Sequence, residues 1–301
     1  MKLPDLEELV ALRGAAHGLG LRARRPVLSG LQGSHHSGRR GRGLEFEEVR
    51  LYASGDDVRN IDWRVTARRG RPHTKLYREE RERPVWLLAD LHAGLFFGSR
   101  RQFKSALLLR AAALLGWVAA EGGDRVGAVI VETRPGVDGA LRILPPRGRE
   151  AGVLPVLQSL VAAQPCAPGL PDPASLGLAL HSLRPLLQPG SLVLVMSDFS
   201  GLDDNAASAL AGISLHNDCR LLRIADPLES AGLPPGNYRV GLPGMLWWLD
   251  GERSRPAWHA AWMRREHHLD AVADRLGLPL VRLSTADDVV ESLPPLLREA
   301  A

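Results

Sequence analysis

At 301 residues, 45% hydrophobic and 24% charged, the chain can bury a sizeable core, as one large domain or one domain with an appendage. Its net charge of +4 is carried almost wholly by Arg, because Lys2, Lys75 and Lys104 are its only lysines. In a chain rich in Ala, Gly, Leu and Pro, that bias reads as genome composition rather than a nucleic-acid surface. Cys166 and Cys219 stand in no metal spacing and offer no disulfide framework. The acidic start, M-K-L-P-D-L-E-E-L-V, lacks the apolar core of a signal peptide. The most apolar window, 105–120, contains Arg110 and falls short of the ~20 residues of a membrane span. The expectation is a soluble, cytoplasmic protein without a membrane span.

In chain order, residues 3–13 read as a short amphipathic helix. Residues 14–43 hold six Arg and no acid among Gly, Ser and His, without periodicity, and read as a loop or arm. His35 and His36 in it are a solvated pair, since no further ligand stands at a usable spacing. Residues 44–83 are densely charged, and E-F-E-E-V-R-L-Y and H-T-K-L-Y-R-E-E alternate as strands do. Between them lies Y-A-S-G-D-D-V-R-N-I-D-W. Gly55, Asp56 and Asp57 predict a tight turn. Arg50, Asp57, Arg59, Asp62 and Arg68 are expected to form mutual salt bridges, with Ile61 and Trp63 on one face of an extended piece, the Trp as a lid.

From Pro84 the character changes. P-V-W-L-L-A-D is a strand ending in Asp90, and a long helix follows over 100–121. Strands D-R-V-G-A-V-I-V and A-L-R-I-L precede helices over 149–163 and 174–187. S-L-V-L-V-M-S-D ends in Asp198, a helix covers 203–215, and C-R-L-L-R-I-A-D ends in Asp226. An irregular Pro/Gly stretch leads to a helix over 256–276, the strand L-P-L-V-R-L and a last helix from Asp287. Continuously apolar strands alternating with helices predict an α/β fold with a mainly parallel sheet covered on both faces. The division expected is 1–43 helix and Arg/Gly-rich arm, 44–83 β-rich appendage and 84–301 α/β domain.

Asp90, Asp198 and Asp226 end strands, and ligands in open α/β sheets sit beyond such ends. Carboxylates there either attract a divalent cation or cap the next turn; for Asp226, followed by Pro227, the turn is expected. No phosphate-binding loop, G-x-G-x-x-G after the first strand, nucleophile elbow or H-E-x-x-H is present. Trp258 and Trp262, four apart, read as helix-packing residues.

The stretch F-E-E-V-R-L-Y-A-S-G-D-D-V-R-N-I-D-W-R-V-T-A-R-R-G, with K-L-Y-R-E-E and V-W-L-L-A-D after it, closely resembles the bacterial domain-of-unknown-function-58 (DUF-58) family. The resemblance continues in D-P-L-E (Asp226 to Glu229), L-P-P-G-N-Y-R-V and S-T-A-D-D, and covers the chain from about Gly43 onward. It implies a von Willebrand factor A-like, doubly wound fold. It also implies an adaptor or co-chaperone role beside a MoxR-type AAA+ ATPase, in maturing or remodelling client proteins. In the metal-ion-dependent adhesion site of that fold, a D-x-S-x-S segment, a Thr and a second Asp hold Mg²⁺. Here D-L-H-A-G keeps Asp90 but places His92 and Gly94 where the two Ser would stand; Ser175 matches the Thr and Asp198 the second Asp. Gly94 offers no ligand and imidazole suits Zn²⁺ better than Mg²⁺, so the Mg²⁺ site is expected to be degenerate and no cofactor is expected. The leading expectation is a non-enzymatic interaction module. The rivals are a metal-dependent hydrolase at Asp90, His92 and Asp198, and a nucleic-acid binder using the arm from Arg22 to Arg42.

Overall fold

A computed structural model describes residues 1–21, 44–53, 58–79, 82–134, 137–242, 244–293 and 296–299. Two compact units divide the chain: one joins Met1–Val27 to Arg83–Ala301, the other is Leu28–Glu82. The sequence set its boundaries at 43/44 and 83/84 instead.

In chain order, the first unit opens with α1 (Leu6–Ala11), α2 (Arg13–Ala16) and the short strand β1 (Leu19–Leu21). The Asp5 side chain caps α1 by accepting from the Glu8 amide. Leu9 is fully buried, and its carbonyl accepts a hydrogen bond from Trp117 Nε1 at 3.1 Å. The amino-terminal helix is therefore packed core.

The second unit contains β2 (Leu44–Leu51), a 3-10 turn over Val58–Asn60, α3 (Trp63–Arg69) and β3 (His73–Glu79). Strands β2 and β3 pair antiparallel, as their alternation predicts, with a register shift between Phe46 and Glu48. The stretch before β3 is not extended. Asp62 is the N-cap of α3, accepting from the amides of Arg64 and Val65, and Gly70 ends the helix at φ 68°. Trp63 is the first helical residue and stands 68% exposed, so it forms no lid. Arg50 Nη1 donates to the Leu51 carbonyl at 3.0 Å. Gly55, Asp56 and Asp57 lie outside the described residues, as does the arm 22–43.

The rest of the first unit runs β4 (Pro84–Leu91), α4 (Lys104–Glu121), β5 (Arg125–Arg134), β6 (Val137–Gly148), α5 (Glu150–Ala163), α6 (Ser175–Leu183), β7 (Leu192–Ser197), α7 (Asp204–Ser214), β8 (Asp218–Ala225) and α8 (Pro227–Ala231). Then follow β9 (Asn237–Leu242), β10 (Met245–Asp250), α9 (Gly251–Leu276), β11 (Leu280–Ser284), α10 (Val289–Ser292) and β12 (Leu297–Glu299). Six strands form the central sheet in the order β11-β8-β7-β4-β5-β6, parallel except for the antiparallel pair β5–β6.

Burial on both faces explains the unbroken apolar runs. In β4, Val85, Leu87, Ala89 and Leu91 join the core under α4 and α5, while Trp86 and Leu88 join the core under α6, α7 and α9. β7 divides the same way, with Leu192, Leu194 and Met196 against Val193 and Val195. α4 sits in the first core and is buried nearly all round, which is why its sequence is almost wholly apolar.

The stretch read as irregular is instead the hairpin β9–β10, which pairs Trp247 with Val240 and Trp248 with Arg239. Both Trp side chains are exposed, so no core periodicity marked it. α9 starts five residues before Pro256 because Asp250 caps it, accepting from the amides of Glu252 and Arg253.

Candidate functional site

The chain goes from β4 to β5 and β6 on one side, then crosses to β7, β8 and β11 on the other. The carboxyl ends of β4 and β7 therefore flank the place where strand order reverses, the usual ligand position in open α/β sheets. Asp90 lies near the end of β4, and Asp198 directly follows β7.

Asp90 is 1% exposed and tied by hydroxyls. Ser175 Oγ donates to Asp90 Oδ1 at 2.9 Å and Ser197 Oγ to Oδ2 at 2.7 Å. Burial is the dominant influence and raises the carboxyl's pKa above its ordinary value, against these hydroxyls and the nearby His92.

Asp198 has charged partners. Lys104 Nζ reaches its Oδ2 at 2.8 Å, and His92 Nε2 and the Ser200 amide reach its Oδ1 at 3.2 and 2.9 Å. Burial alone would raise its pKa; Lys104 and His92 outweigh burial and hold it well below the usual carboxylate range. The same ammonium meets Glu229 Oε1 at 2.8 Å. Burial would lower the Lys104 pKa, but its two carboxylates raise it. Likewise burial would lower that of His92, and Asp198 turns the balance upward.

Local structure fixes these groups. Lys104 is the first residue of α4, a helix end where a cation is disfavoured unless paired. Glu229 belongs to a capping box: Asp226 caps α8, and its own amide donates to Glu229 Oε2 at 2.9 Å, which leaves Oε1 for Lys104. Asp226 is thus the turn residue expected, held also by Ser99 and Thr285. Gly94 makes room for the imidazole, because a Cβ there would come within 3.0 Å of His92 Cε1 and Nδ1. His92 and Gly94 are therefore coupled: the ring of one uses the space beside the other.

Above this floor opens a cleft of about 900 Å³. Phe97, Leu170, Leu202 and Trp258 wall it, Arg264 and Arg265 stand on its α9 side, and Lys104, Asp198 and Glu229 reach it from below. Of the four residues proposed for a metal, Asp198 alone lines the cleft; Asp90, His92 and Ser175 are each 1% exposed beneath it. Sequence reasoning brought those four to one place but missed Lys104, Glu229 and the cleft. The signal for Lys104 was present: a rare Lys in an Arg-rich chain, heading an apolar helix.

The donor set does not fit Mg²⁺. Both oxygens of Asp90 and both of Asp198 are already engaged, and an ammonium lies against the second carboxylate. Among the described residues, no group of three His, Cys, Asp or Glu is placed to hold a metal ion.

The family model for "Protein of unknown function DUF58" matches residues 48–267, well over half of the chain. The chain belongs to this family. Among curated relatives, the uncharacterized protein Rv1480 of Mycobacterium tuberculosis and the uncharacterized protein Mb1516 of Mycobacterium bovis are each 32% identical over 218 residues, 72% of this chain. The match spans 66% of those proteins, just under two-thirds of their length. Of solved structures, an aerotolerance-related membrane protein from Bacteroides fragilis, carrying multiple mutations to serines, aligns with TM-score 0.46 and 14% identity, over 71% of this chain and 96% of that one. A conserved hypothetical protein, BatB, from Bacteroides thetaiotaomicron aligns with TM-score 0.41 and 11% identity, over 70% and 95%. Among the described residues no helix is long and apolar enough to cross a membrane.

Proposed function

We propose that this DUF58 protein is a non-enzymatic interaction module with a von Willebrand factor A-like, doubly wound domain. It would act in the cytoplasm as an adaptor of a MoxR-type AAA+ ATPase during protein maturation or remodelling. One observation carries the binding role: an apolar-walled cleft at the sheet's reversal point whose charged floor is already paired within the chain. Such a cleft offers a partner contact area and orientation. The ATPase is suggested by the resemblance of the segment around G-D-D-V-R-N-I-D-W to its family. The hydrolase reading is not adopted, because Asp90 and His92 lie under the cleft floor, out of reach of a substrate.

The test is co-elution of the full chain with a MoxR-type ATPase from the same genome, followed by titration. Leu170→Asp and Trp258→Ala, both on the cleft wall, are expected to weaken binding by roughly tenfold or more, as truncated anchors do. No complex with the ATPase would remove the adaptor reading. A complex untouched by both substitutions would remove the cleft from it.

A further inference from the structure

We infer that Lys104 is the resident cation of this site: its ammonium bridges Asp198 and Glu229 beside the place where the resemblance implies a divalent ion, and the site is built to work without one. This assignment goes beyond the proposed adaptor role and needs no partner for its test.

Three observations carry it. First, Lys104 Nζ lies 2.8 Å from Asp198 Oδ2 and 2.8 Å from Glu229 Oε1, so one charge bridges the carboxylate after β7 and one from α8, as a metal would. Its side chain is 3% exposed, which makes it part of the floor rather than a surface group. Second, a divalent cation would need to coordinate oxygens at about 2.0–2.6 Å, in the space the ammonium holds. The remaining Asp198 oxygen accepts from Ser200 and faces His92, and both Asp90 oxygens accept from Ser175 and Ser197. Third, the ammonium already sets a positive charge against both carboxylates at 2.8 Å, so a dication entering there would be repelled at close range.

The choice of Lys over Arg fits the role. Ammonium is a compact point charge whose donors can turn to separate acceptors, whereas a planar guanidinium prefers one carboxylate side-on. In a chain whose basic residues are nearly all Arg, this buried cation is Lys.

The test is Mn²⁺ and Mg²⁺ titration of the full chain, followed by calorimetry, Mn²⁺ electron paramagnetic resonance and thermal melting. The wild type is expected to show no saturable site up to about 1 mM metal and an unchanged melting temperature, since a bound ion would raise it by mass action. Lys104→Met is expected to melt lower and to recover several degrees with Mn²⁺, as the freed carboxylates take the ion. A saturable Mn²⁺ site in the wild type that is lost in Asp198→Asn would overturn the assignment. So would a folded Lys104→Met chain that ignores Mn²⁺. If that variant does not fold, the wild-type titration decides alone.

Discussion

Asp90 and Asp198 end neighbouring parallel strands, and both are shielded from water, yet they are held in opposite ways. Asp90 accepts from two hydroxyls and is pushed toward its neutral form by burial. Asp198 is met by an ammonium and an imidazole and is held firmly ionised. Burial is similar, so the partners decide the direction. Position in the fold also differs in consequence: Asp198 reaches the cleft, while Asp90 is sealed beneath it. The pair shows that two identical residues at matched strand ends can serve different ends. One knots the sheet, and the other holds a charge at the surface of the cleft.

The sharpest way to break this contrast is to remove each carboxylate's charge. Asp198→Asn should cost about 3–5 kcal/mol in chemical denaturation, the usual loss when one partner of a buried charge pair disappears. Asp90→Asn should cost only about 1 kcal/mol or less, because it removes a buried charge and an amide still bonds both hydroxyls. Equal losses would mean the two sites are alike. The raised pKa of Asp90 adds a sign to this test. Its folded form holds the proton to higher pH than its unfolded form, so the ionised carboxyl costs stability as pH rises through the folded value. The Asp90→Asn variant should therefore gain on the wild type as pH increases.

A smaller effect concerns His92, whose pKa is raised in the folded state. Its contribution is complete below the ordinary value of 6.5 and is lost as pH rises through the higher folded value. Denaturation at several pH values from 6.5 upward should show the wild type losing stability faster than His92→Gln. Parallel curves would show that the imidazole carries no charge beside Asp198.

Much of the fold was legible because the sheet is covered on both faces. Runs such as V-W-L-L-A and L-V-L-V-M have no polar side, and only a doubly covered strand uses them. The Asp ending two of those runs pointed to the right edge of the sheet. Elements stabilised by caps rather than by periodicity were harder. α3 has few apolar residues, yet Asp62 and Gly70 bracket it at the correct distance. Pro256 suggested a helix start that Asp250 had already made five residues earlier. The key contact of the site was hidden for another reason. Lys104 and Asp198 are 94 positions apart, and no local pattern reports a pairing made only by the crossing of the chain from one side of the sheet to the other.

The short pairing of β1 with β12 has a consequence for how the protein is made. Leu19–Leu21 lies near the beginning of the sequence and Leu297–Glu299 near its end, and they join antiparallel. A chain emerging from the ribosome could wind its central strands progressively, but this clasp must wait until Leu297–Glu299 has been synthesised. Until then the first strand has one edge without its native mate, a state that invites chaperones and wrong partners alike. Closing the clasp joins two segments that the whole central sheet separates along the chain.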